Sequence, residues 1–328
     1  MNCDERPVIA YGVGTLLELW RYHHPNVPIR YAVDRTIEKS TCNEINDLDV
    51  YSPTKLFTEF KSGKLNEMVV VTGISSQAQQ SIFNALCEQG FVFGRDFVDL
   101  TTWQVDHGHF FEEVVEILGH SVSRNRFFAA RAYNYTTAIG TDTSIGGNFL
   151  LSEIIATTAK LGGQIAEIGA FKGGNAFFQL QQMLIVGDQR PYTIIDSFGG
   201  FAEMSEKDPK HLQNHYDNLH QKDVTEGIAH LFPNASVFSG YVPQVLQNFK
   251  PSTTFSVVFF DCDLYQPALD TLEFFWPHLL PGGYMVLHDY HAANDSWTGV
   301  RKAVDEFADI HSCKVQSQWA TTMAVLQK

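Results

Sequence analysis

The sequence is poor in positive charge and has no long apolar tract. Lysine and arginine number 23 against 37 aspartate and glutamate residues, so the 328-residue chain has a formal net charge of −14. A chain this acidic repels phosphate backbones and anionic lipid surfaces, so we expect neither nucleic acid nor a membrane as a partner. No apolar stretch approaches the roughly 20 residues that a transmembrane helix needs.

Cysteine is scarce, and no two cysteines have the CxxC spacing. The five residues are odd in number and scattered along the chain, at Cys3, Cys42, Cys87, Cys262 and Cys313. This pattern is typical of reduced thiols in a cytosol, and we expect no catalytic thiol among them. The first residues, MNCDERPVIAYG, also lack the cationic leader and apolar core of a signal peptide. We therefore expect a cytoplasmic protein.

The chain is long and rich in aromatic side chains. A chain of 328 residues is too long for one typical core and predicts two domains. Hydrophobic residues make up 44% and charged residues 18%, which is ordinary for a globular protein. The 25 phenylalanines and 12 tyrosines indicate well-filled cores and an aromatic-lined pocket.

Strand and helix patterns alternate twice along the chain, which predicts an α/β fold with two parallel sheets. We assign residues 1–105 to a small Rossmann-like α/β domain, residues 106–150 to a helical linker and residues 151–328 to a second, larger α/β domain. In the second domain, TTFSVVFFDCD reads as the central buried strand and the final MAVLQK as an edge strand.

The first of two glycine-rich turns lies in AYGVGTLLE. Gly12 and Gly14 separate a strand from a helix, and Asp34 lies twenty residues beyond Gly14. This resembles the start of a dinucleotide fingerprint, but Glu18 and its neighbours occupy the place of the third glycine. Two interpretations remain: a structural turn, or the NAD site of an oxidoreductase. The absence of a Ser-Tyr-Lys catalytic set counts against the second.

The second glycine-rich turn lies in AEIGAFKGGNA. Gly169 permits a sharp backbone turn, and Gly173 would let a ligand approach the helix N-terminus without meeting a Cβ atom. No GK[ST] follows, so this is not a phosphate cradle, and Glu167 suits a cationic ligand. S-adenosylmethionine carries a sulfonium and an ammonium group. Asp196, at the end of the next strand, can accept hydrogen bonds from both ribose hydroxyls.

Together these motifs resemble one known family. The segments QIAEIGAFKGGN, IIDSFGGF, FFDCDLYQPALDTLEFFWPHLLPGGYMVLHDY and GVRKAVDEF occur in order within residues 150–328 and are similar to the macrocin O-methyltransferases. The resemblance implies a class I, S-adenosylmethionine-dependent enzyme that methylates a sugar hydroxyl in natural-product or glycoconjugate biosynthesis. It does not cover residues 1–105. They resemble the small front domain of some sugar-modifying enzymes, where it can hold a nucleotide-sugar.

The resemblance also implies site residues. It assigns cofactor binding to Glu167, Gly169, Gly173, Asp196 and Ser197. It assigns a divalent metal to Asp261, His288 and Asp289. His288 departs from the Asp-Asp or Asp-Asn usual there. The resemblance implies Mg²⁺, whereas an imidazole ligand favours softer ions. Both Mg²⁺ and Mn²⁺ therefore remain open as the expected metal.

Two aspartates, Asp261 and Asp263, follow the apolar run TFSVVFF, although carboxylates are costly to bury alone. Ligands of open α/β sheets bind at the carboxyl ends of the strands, where Asp261 and His288 would meet. A cation held there would bind two vicinal sugar hydroxyls and lower the pKa of one. Asp261 and His288 are thus predicted to be catalytic, with the general base open among these two and His291. Asp263 is predicted to cap the following turn.

The segment FAEMSEKDPKHLQNHYDN (residues 201–218) is polar and is predicted to form a mobile lid over the acceptor. His211 and His215 have helical i, i+4 spacing, but without a further ligand we do not predict a metal site there. The acceptor is expected to be a small molecule or glycoconjugate, and the protein a homo-oligomer. A non-catalytic nucleotide-sugar-binding protein remains the other interpretation.

Overall fold

The structure, a computed structural model, divides into two compact units, Met1–Phe111 and Glu112–Lys328. It describes residues 7–37, 42–45, 47–73, 76–127, 143–201, 204–208, 222–291 and 298–328. None of the described helices is both long enough and apolar enough to cross a membrane.

The first unit is built on a six-stranded sheet. Its strands are β1 (Val8–Tyr11), β2 (Ile29–Val33), β3 (Cys42–Ile45), β4 (Leu48–Tyr51), β5 (Met68–Val71) and β6 (Phe97–Asp99). Their order is β3-β4-β2-β1-β5-β6, and only β3 and β4 pair antiparallel. The chain extends the sheet on one side of β1 and later returns to the other side as β5, so the topological switch point lies between β1 and β5.

Helices pack on both faces of this sheet. They are α1 (Thr15–His23), α2 (Pro53–Lys61), α3 (Ser76–Glu88) and α4 (Leu100–His107), followed by α5 (Phe110–Leu118) at the unit boundary. Leu56 of α2 and Leu86 of α3 share one core with Ile9 of β1. Trp20 of α1 meets Trp103 of α4 edge to face, with ring centroids 4.9 Å apart.

The second unit is built on a seven-stranded sheet. Its strands are β7 (Gln164–Ile168), β8 (Tyr192–Asp196), β9 (Ala235–Ser239), β10 (Phe255–Phe260), β11 (Leu279–Leu287), β12 (Val315–Gln318) and β13 (Met323–Gln327). The order is β12-β13-β11-β10-β7-β8-β9, and all pairs are parallel except those of β13. Two mostly parallel Rossmann-type sheets confirm the predicted fold class.

The helices of the second unit include α6 (Ile145–Thr157), α7 (Gly174–Val186), α8 (Lys222–Leu231), α9 (Tyr265–His278) and α10 (Thr298–His311). Every residue of β10 is buried, as predicted for a central strand. Along β10 the side chains alternate between faces. Val258 and Phe260 join the core formed with Leu272 of α9 and Val304 of α10.

The prediction that MAVLQK forms an edge strand is wrong. This segment, β13, lies between β11 and β12 and pairs antiparallel with both. Four of its five residues are buried, as expected for a strand with a paired neighbour on each side. The actual edge is β12, whose sequence VQSQ has no apolar alternation by which it could be recognised.

Candidate functional site

The carboxyl ends of β10 and β11 lie side by side. Phe260, the last residue of β10, pairs with Leu287, the last residue of β11. The backbone N–H of His288 donates to the carbonyl oxygen of Phe260 at 2.9 Å, and that of Asp261 donates to Ile168 at 2.7 Å. The residues that follow the two strands therefore emerge at the same edge of the sheet.

Three of the predicted residues converge there. Nδ1 of His288 lies 2.9 Å from Oδ1 of Asp261 and 3.2 Å from Oδ1 of Asp289. One ligand atom from each residue lies within 4.8 Å of the other two, which is close enough for one cation to bind all three. Thr143 donates from Oγ1 to the other oxygen of Asp261, at 3.3 Å. Sequence reasoning missed Thr143, which precedes β10 by more than a hundred residues.

Charge distribution at this triad depends on His288. Burial alone would lower the pKa of His288, but the carboxylates of Asp261 and Asp289 raise it well above its ordinary value. Burial alone would raise the pKa of Asp289, but His288 and a hydrogen bond from Asp263 lower it to about 2. In the absence of a metal, the imidazolium of His288 thus supplies the positive charge between the two carboxylates.

The donor set of the triad fits a divalent metal ion. The two carboxylates supply oxygen and His288 supplies nitrogen, a mixed set that suits Mn²⁺ or a softer ion better than Mg²⁺. Both ring nitrogens of His288 are buried. Neither forms a well-aligned hydrogen bond with any residue that the structure describes. An imidazole left in this state can be satisfied by a metal.

Asp263 does not cap the following helix, contrary to the prediction. Leu264 is the N-cap residue of α9, and the N–H of Tyr265 is bound at 2.7 Å by Oδ1 of Asp208. Asp263 instead adopts a left-handed backbone conformation (φ +62°), which turns its carboxyl group toward Asp289. Burial and the charge of Asp289 raise the pKa of Asp263 well above its ordinary value, which favours a protonated carboxyl group that donates a hydrogen bond to Asp289.

Asp196 fastens the glycine turn that follows β7. Its Oδ2 accepts from the backbone N–H groups of Ala170 at 2.8 Å and Phe171 at 3.0 Å, and its Oδ1 accepts from Phe198 at 2.8 Å. A carboxylate has about four acceptor positions, so little of its capacity remains for a ligand. The adjoining Ser197 donates to Gly200 at 2.8 Å and so orders the next turn.

The two glycines of this turn are packed against protein atoms. A Cβ atom on Gly169 would lie 2.0 Å from the carbonyl oxygen of Asp261, so the turn and the carboxyl end of β10 touch directly. A Cβ atom on Gly173 would lie 2.5 Å from Cδ1 of Ile228 on α8. The space predicted for ligand approach at Gly173 is therefore filled by Ile228.

Glu167 lies beneath the turn and is completely buried. Its Oε2 accepts a hydrogen bond from the hydroxyl group of Tyr192 on the neighbouring strand. Burial raises the pKa of Glu167 to about 8, with hydrogen bonds from Tyr192 and Asn175 opposing the rise. The carboxyl group that we predicted to face a cationic ligand is therefore sealed from the surface.

The remaining predictions around the site have different outcomes. The greater part of the predicted lid, with His211 and His215, lies outside the described residues. The described residues 204–208 are anchored by Asp208, which also accepts from the N–H of Ser205 at 2.8 Å. Burial raises the pKa of Cys262 well above its ordinary value, in keeping with the expectation of an inert thiol.

Comparison with known proteins identifies the second unit. Residues 148–327 match the family model described as macrocin-O-methyltransferase (TylF). The chain belongs to the TylF family. The match covers the triad, the glycine turn and Asp196, and it leaves the whole of the first unit outside.

Two curated O-methyltransferases are similar to this chain. Mycinamicin III 3″-O-methyltransferase of Micromonospora griseorubida is 29% identical over 164 residues, which are 45% of this chain and 61% of that protein. The 8-demethyl-8-(2,3-dimethoxy-alpha-L-rhamnosyl)-tetracenomycin-C 4′-O-methyltransferase of Streptomyces olivaceus is 28% identical over 140 residues, 39% of this chain and 53% of that protein. The chain thus spans less than two thirds of either relative.

Solved structures with a similar arrangement include two methyltransferases. Calicheamicin methyltransferase CalS11 superposes with a TM-score of 0.49 at 17% identity, over 68% of this chain and 92% of that one. The O-methyltransferase NovP superposes with a TM-score of 0.48 at 15% identity, over 67% of this chain and 98% of that one.

Proposed function

We propose that the second unit is an S-adenosylmethionine-dependent O-methyltransferase that acts on a sugar hydroxyl with the help of a divalent metal. The observation that carries this proposal is the triad of Asp261, His288 and Asp289, placed beside a glycine turn in a member of the TylF family. The tetracenomycin relative acts, by its name, on a rhamnosyl group. This supports a sugar-bearing small molecule or glycoconjugate as the acceptor.

The cofactor would bind at the turn that follows β7. S-adenosylmethionine supplies a methyl group activated on a sulfonium centre. Asp196 fixes this turn through the backbone N–H groups of Ala170 and Phe171, and a ribose hydroxyl would bind beside it. Glu167, Gly169 and Gly173 would support cofactor binding indirectly, by fixing the shape of the turn. Glu167 is buried, and both glycines are packed against protein atoms.

The triad would hold the metal through Oδ1 of Asp261, Nδ1 of His288 and Oδ1 of Asp289. A divalent ion there supplies charge that binds the sugar hydroxyls and lowers the pKa of one of them. His288 must release its Nδ1 proton before it can bind metal. Asp263 keeps Asp289 oriented by donating a hydrogen bond to it.

Asp261 is the residue of the triad best placed to accept the proton of the sugar hydroxyl. Its side chain is 18% exposed, against 5% for His288. In the part of the chain that the structure describes, the side-chain donor to its Oδ2 is Thr143, at the long distance of 3.3 Å. Proton acceptance at Asp261 would raise the nucleophilicity of the acceptor oxygen, while neutral His288 would help to hold the metal.

Calorimetric titration of S-adenosylhomocysteine into metal-stripped protein tests this function, with repeats in Mg²⁺ and in Mn²⁺. We expect binding with Kd on the order of 1–100 μM. A direct titration of Mn²⁺ should give one site, weakened by about tenfold or more in Asp289→Asn. The matched control, Asp309→Asn, changes an exposed aspartate on α10. An absence of cofactor binding under every condition would overturn the proposal.

A further inference from the structure

The first unit carries a candidate ligand site of its own, which the second unit's chemistry does not use. In this sheet β1 pairs with β2 on one side and with β5 on the other, so the switch point lies at the carboxyl ends of β1 and β5. Open α/β sheets bind their ligands at such a point. The glycine turn with Gly12 and Gly14 leaves β1 at this place.

The two glycines of this turn have different surroundings. Gly12 has a φ angle of +116°, and a Cβ atom on it would lie 3.3 Å from the backbone nitrogen of Gly73. Thr72 closes the contact by donating from Oγ1 to the carbonyl oxygen of Gly12 at 2.6 Å. Gly14 has an extended backbone, and no atom of the described residues lies within 4 Å of the position of its Cβ. A ligand can therefore approach the backbone at Gly14 but not at Gly12.

Helix α1 begins directly after Gly14, and this N-cap residue has no side chain with which to cap it. Its first backbone N–H groups carry the positive end of the helix dipole. A phosphate group in the open space beside the Cβ position of Gly14 would meet these N–H groups, with Glu18 of the first turn as the one acidic residue of that turn.

Two buried polar atoms at the same edge lack partners. Tyr11, the last residue of β1, is 1% exposed. Among the residues that the structure describes, its hydroxyl group has no hydrogen-bond partner. Gln79 is 3% exposed and donates from Nε2 to the carbonyl oxygen of Gly73 at 2.7 Å. Its Oε1 accepts no hydrogen bond from any of the described residues. Unpaired polar atoms are costly to bury, so both indicate a polar ligand.

Charged groups of both signs complete the edge at the end of β2. Asp34 uses Oδ1 for the N–H and hydroxyl groups of Thr36, at 2.8 and 2.7 Å. Among the residues that the structure describes, the contact of its Oδ2 is a long one, 3.3 Å to the N–H of Val13 in the glycine turn. That oxygen is suited to a ribose hydroxyl. The guanidinium group of the adjacent Arg35 bonds to Ser81 of α3, and both Asp34 and Arg35 act electrostatically on the hydroxyl group of Tyr11.

We propose that the first unit binds a ribosyl 5′-diphosphate. The diphosphate lies beside Gly14 at the N-terminus of α1 and is paired with Arg35, whose planar guanidinium matches phosphate oxygens. A ribose hydroxyl donates to Oδ2 of Asp34. This chemistry is common to dinucleotide cofactors and to nucleotide-sugars, and it is independent of the function proposed for the second unit.

Calorimetry on the full chain tests the site. The probes are ADP, GDP, CDP and UDP, with NAD⁺ for the dinucleotide source and UDP-glucose for the nucleotide-sugar source. At least one is expected to bind with Kd below about 1 mM. Gly14→Val places a side chain in the open space without backbone strain, and it should weaken that binding by about tenfold or more. The control Asp49→Asn, an exposed aspartate on β4, should leave the affinity unchanged.

Each outcome is decisive. Failure of every probe to bind up to about 1 mM overturns the proposal. Binding that Gly14→Val does not weaken also overturns it, because the ligand then lies elsewhere, including in the adenosine site proposed for the second unit. Equal affinity of the tightest probe and its 2′-deoxy form would remove the ribose assignment to Asp34. Circular dichroism of Gly14→Val verifies that the variant is folded.

Discussion

Glu167 lies at the centre of the second sheet, with its carboxyl group sealed from solvent. Its hydrogen-bonding neighbours are the hydroxyl group of Tyr192 and the side chain of Asn175, and the charges of Asp261 and Asp196 also act on it. A pKa of about 8 means that this carboxyl group holds a proton at neutral pH. Glu167 therefore acts as a neutral hydrogen-bonding group beneath the glycine turn, which differs from the anionic role that its sequence context favoured.

The proton on Glu167 makes stability depend on pH. The folded protein keeps this proton up to about pH 8, whereas the unfolded chain releases it near the ordinary value of 4.5. Because the folded state binds more protons in this window, the contribution of Glu167 to the free energy of unfolding falls as pH rises from 4.5 to about 8. Glu167→Gln lacks this proton and should lose the dependence.

Thermal and urea unfolding between pH 5 and pH 8 measure this effect. The stability of the parent relative to Glu167→Gln should decline by on the order of 4 kcal/mol across the range. The control Glu273→Gln changes an exposed glutamate on α9 and should follow the parent curve. If the curves of the parent and Glu167→Gln remain parallel, the raised pKa is refuted.

Asp196 fixes the neighbouring turns and is proposed to bind the ribose of the cofactor, and one substitution tests its role in the site. Asp196→Ala removes the acceptor of three backbone N–H groups in the turns beside the proposed cofactor site. We expect S-adenosylhomocysteine to bind about tenfold or more weakly, which is roughly 1.4 kcal/mol, the scale of a hydrogen bond to a charged group. Calorimetry gives the affinity, and an unchanged value would exclude Asp196 from the site.

The triad could be predicted from the sequence, but its surroundings could not. Asp261, His288 and Asp289 each follow an apolar strand, and parallel neighbouring strands end at one edge. The contact of Asp263 with Asp289 could not be predicted, because it depends on a left-handed backbone conformation at Asp263. Asp tolerates this conformation, but a strand pattern does not reveal it. The two residues come together only through the tertiary structure.

At the scale of secondary structure elements, the apolar strands were predictable and the polar ones were not. The central strands β7, β8, β10 and β11 are mostly apolar. The first three end at or just before glycine or acidic residues, and β11 ends just before His288. The hairpin of β3 and β4 and the edge strand β12 are short and carry polar residues, so hydrophobic periodicity gives them no signal. Their pairing depends on the free edge of an existing sheet.

The turn after β7 and the end of β10 form one packed unit, which Gly169→Ala should disrupt. The new Cβ atom would lie 2.0 Å from the carbonyl oxygen of Asp261, at a φ angle of +90°. We expect a loss of more than about 2 kcal/mol in the free energy of unfolding. Displacement of Asp261 should also weaken the binding of Mn²⁺.

Gly187→Ala is the matched control for this substitution. Gly187 ends α7 with a φ angle of +73°, and no described atom lies within 4 Å of its Cβ position. Its replacement isolates the backbone strain, which costs about 1–2 kcal/mol, and should leave the binding of Mn²⁺ intact. Thermal unfolding and calorimetry compare the two variants. Equal effects on stability and on metal binding would show that the contact between turn and strand end is unimportant.

At the scale of the whole molecule, the two units share one local device. In each, a glycine turn leaves the first strand of the sheet, and an aspartate at the end of the next strand binds the backbone of that turn. Asp34 accepts from Val13 in the first unit, and Asp196 accepts from Ala170 in the second. The first contact is long, at 3.3 Å, and the second is short, at 2.8 Å. The oxygen in the first unit is therefore the freer of the two to bind a ligand.

Because each device is contained within one compact unit, we expect the two ligands to respond to different substitutions. Gly14→Val should weaken the diphosphate probe and leave S-adenosylhomocysteine affinity within about twofold, while Asp196→Ala should do the reverse. Calorimetry on both variants and on the double variant measures all four effects, which should add. A change greater than about threefold in the affinity of the other ligand would mean that the two sites are coupled or that one adenosine site binds both ligands.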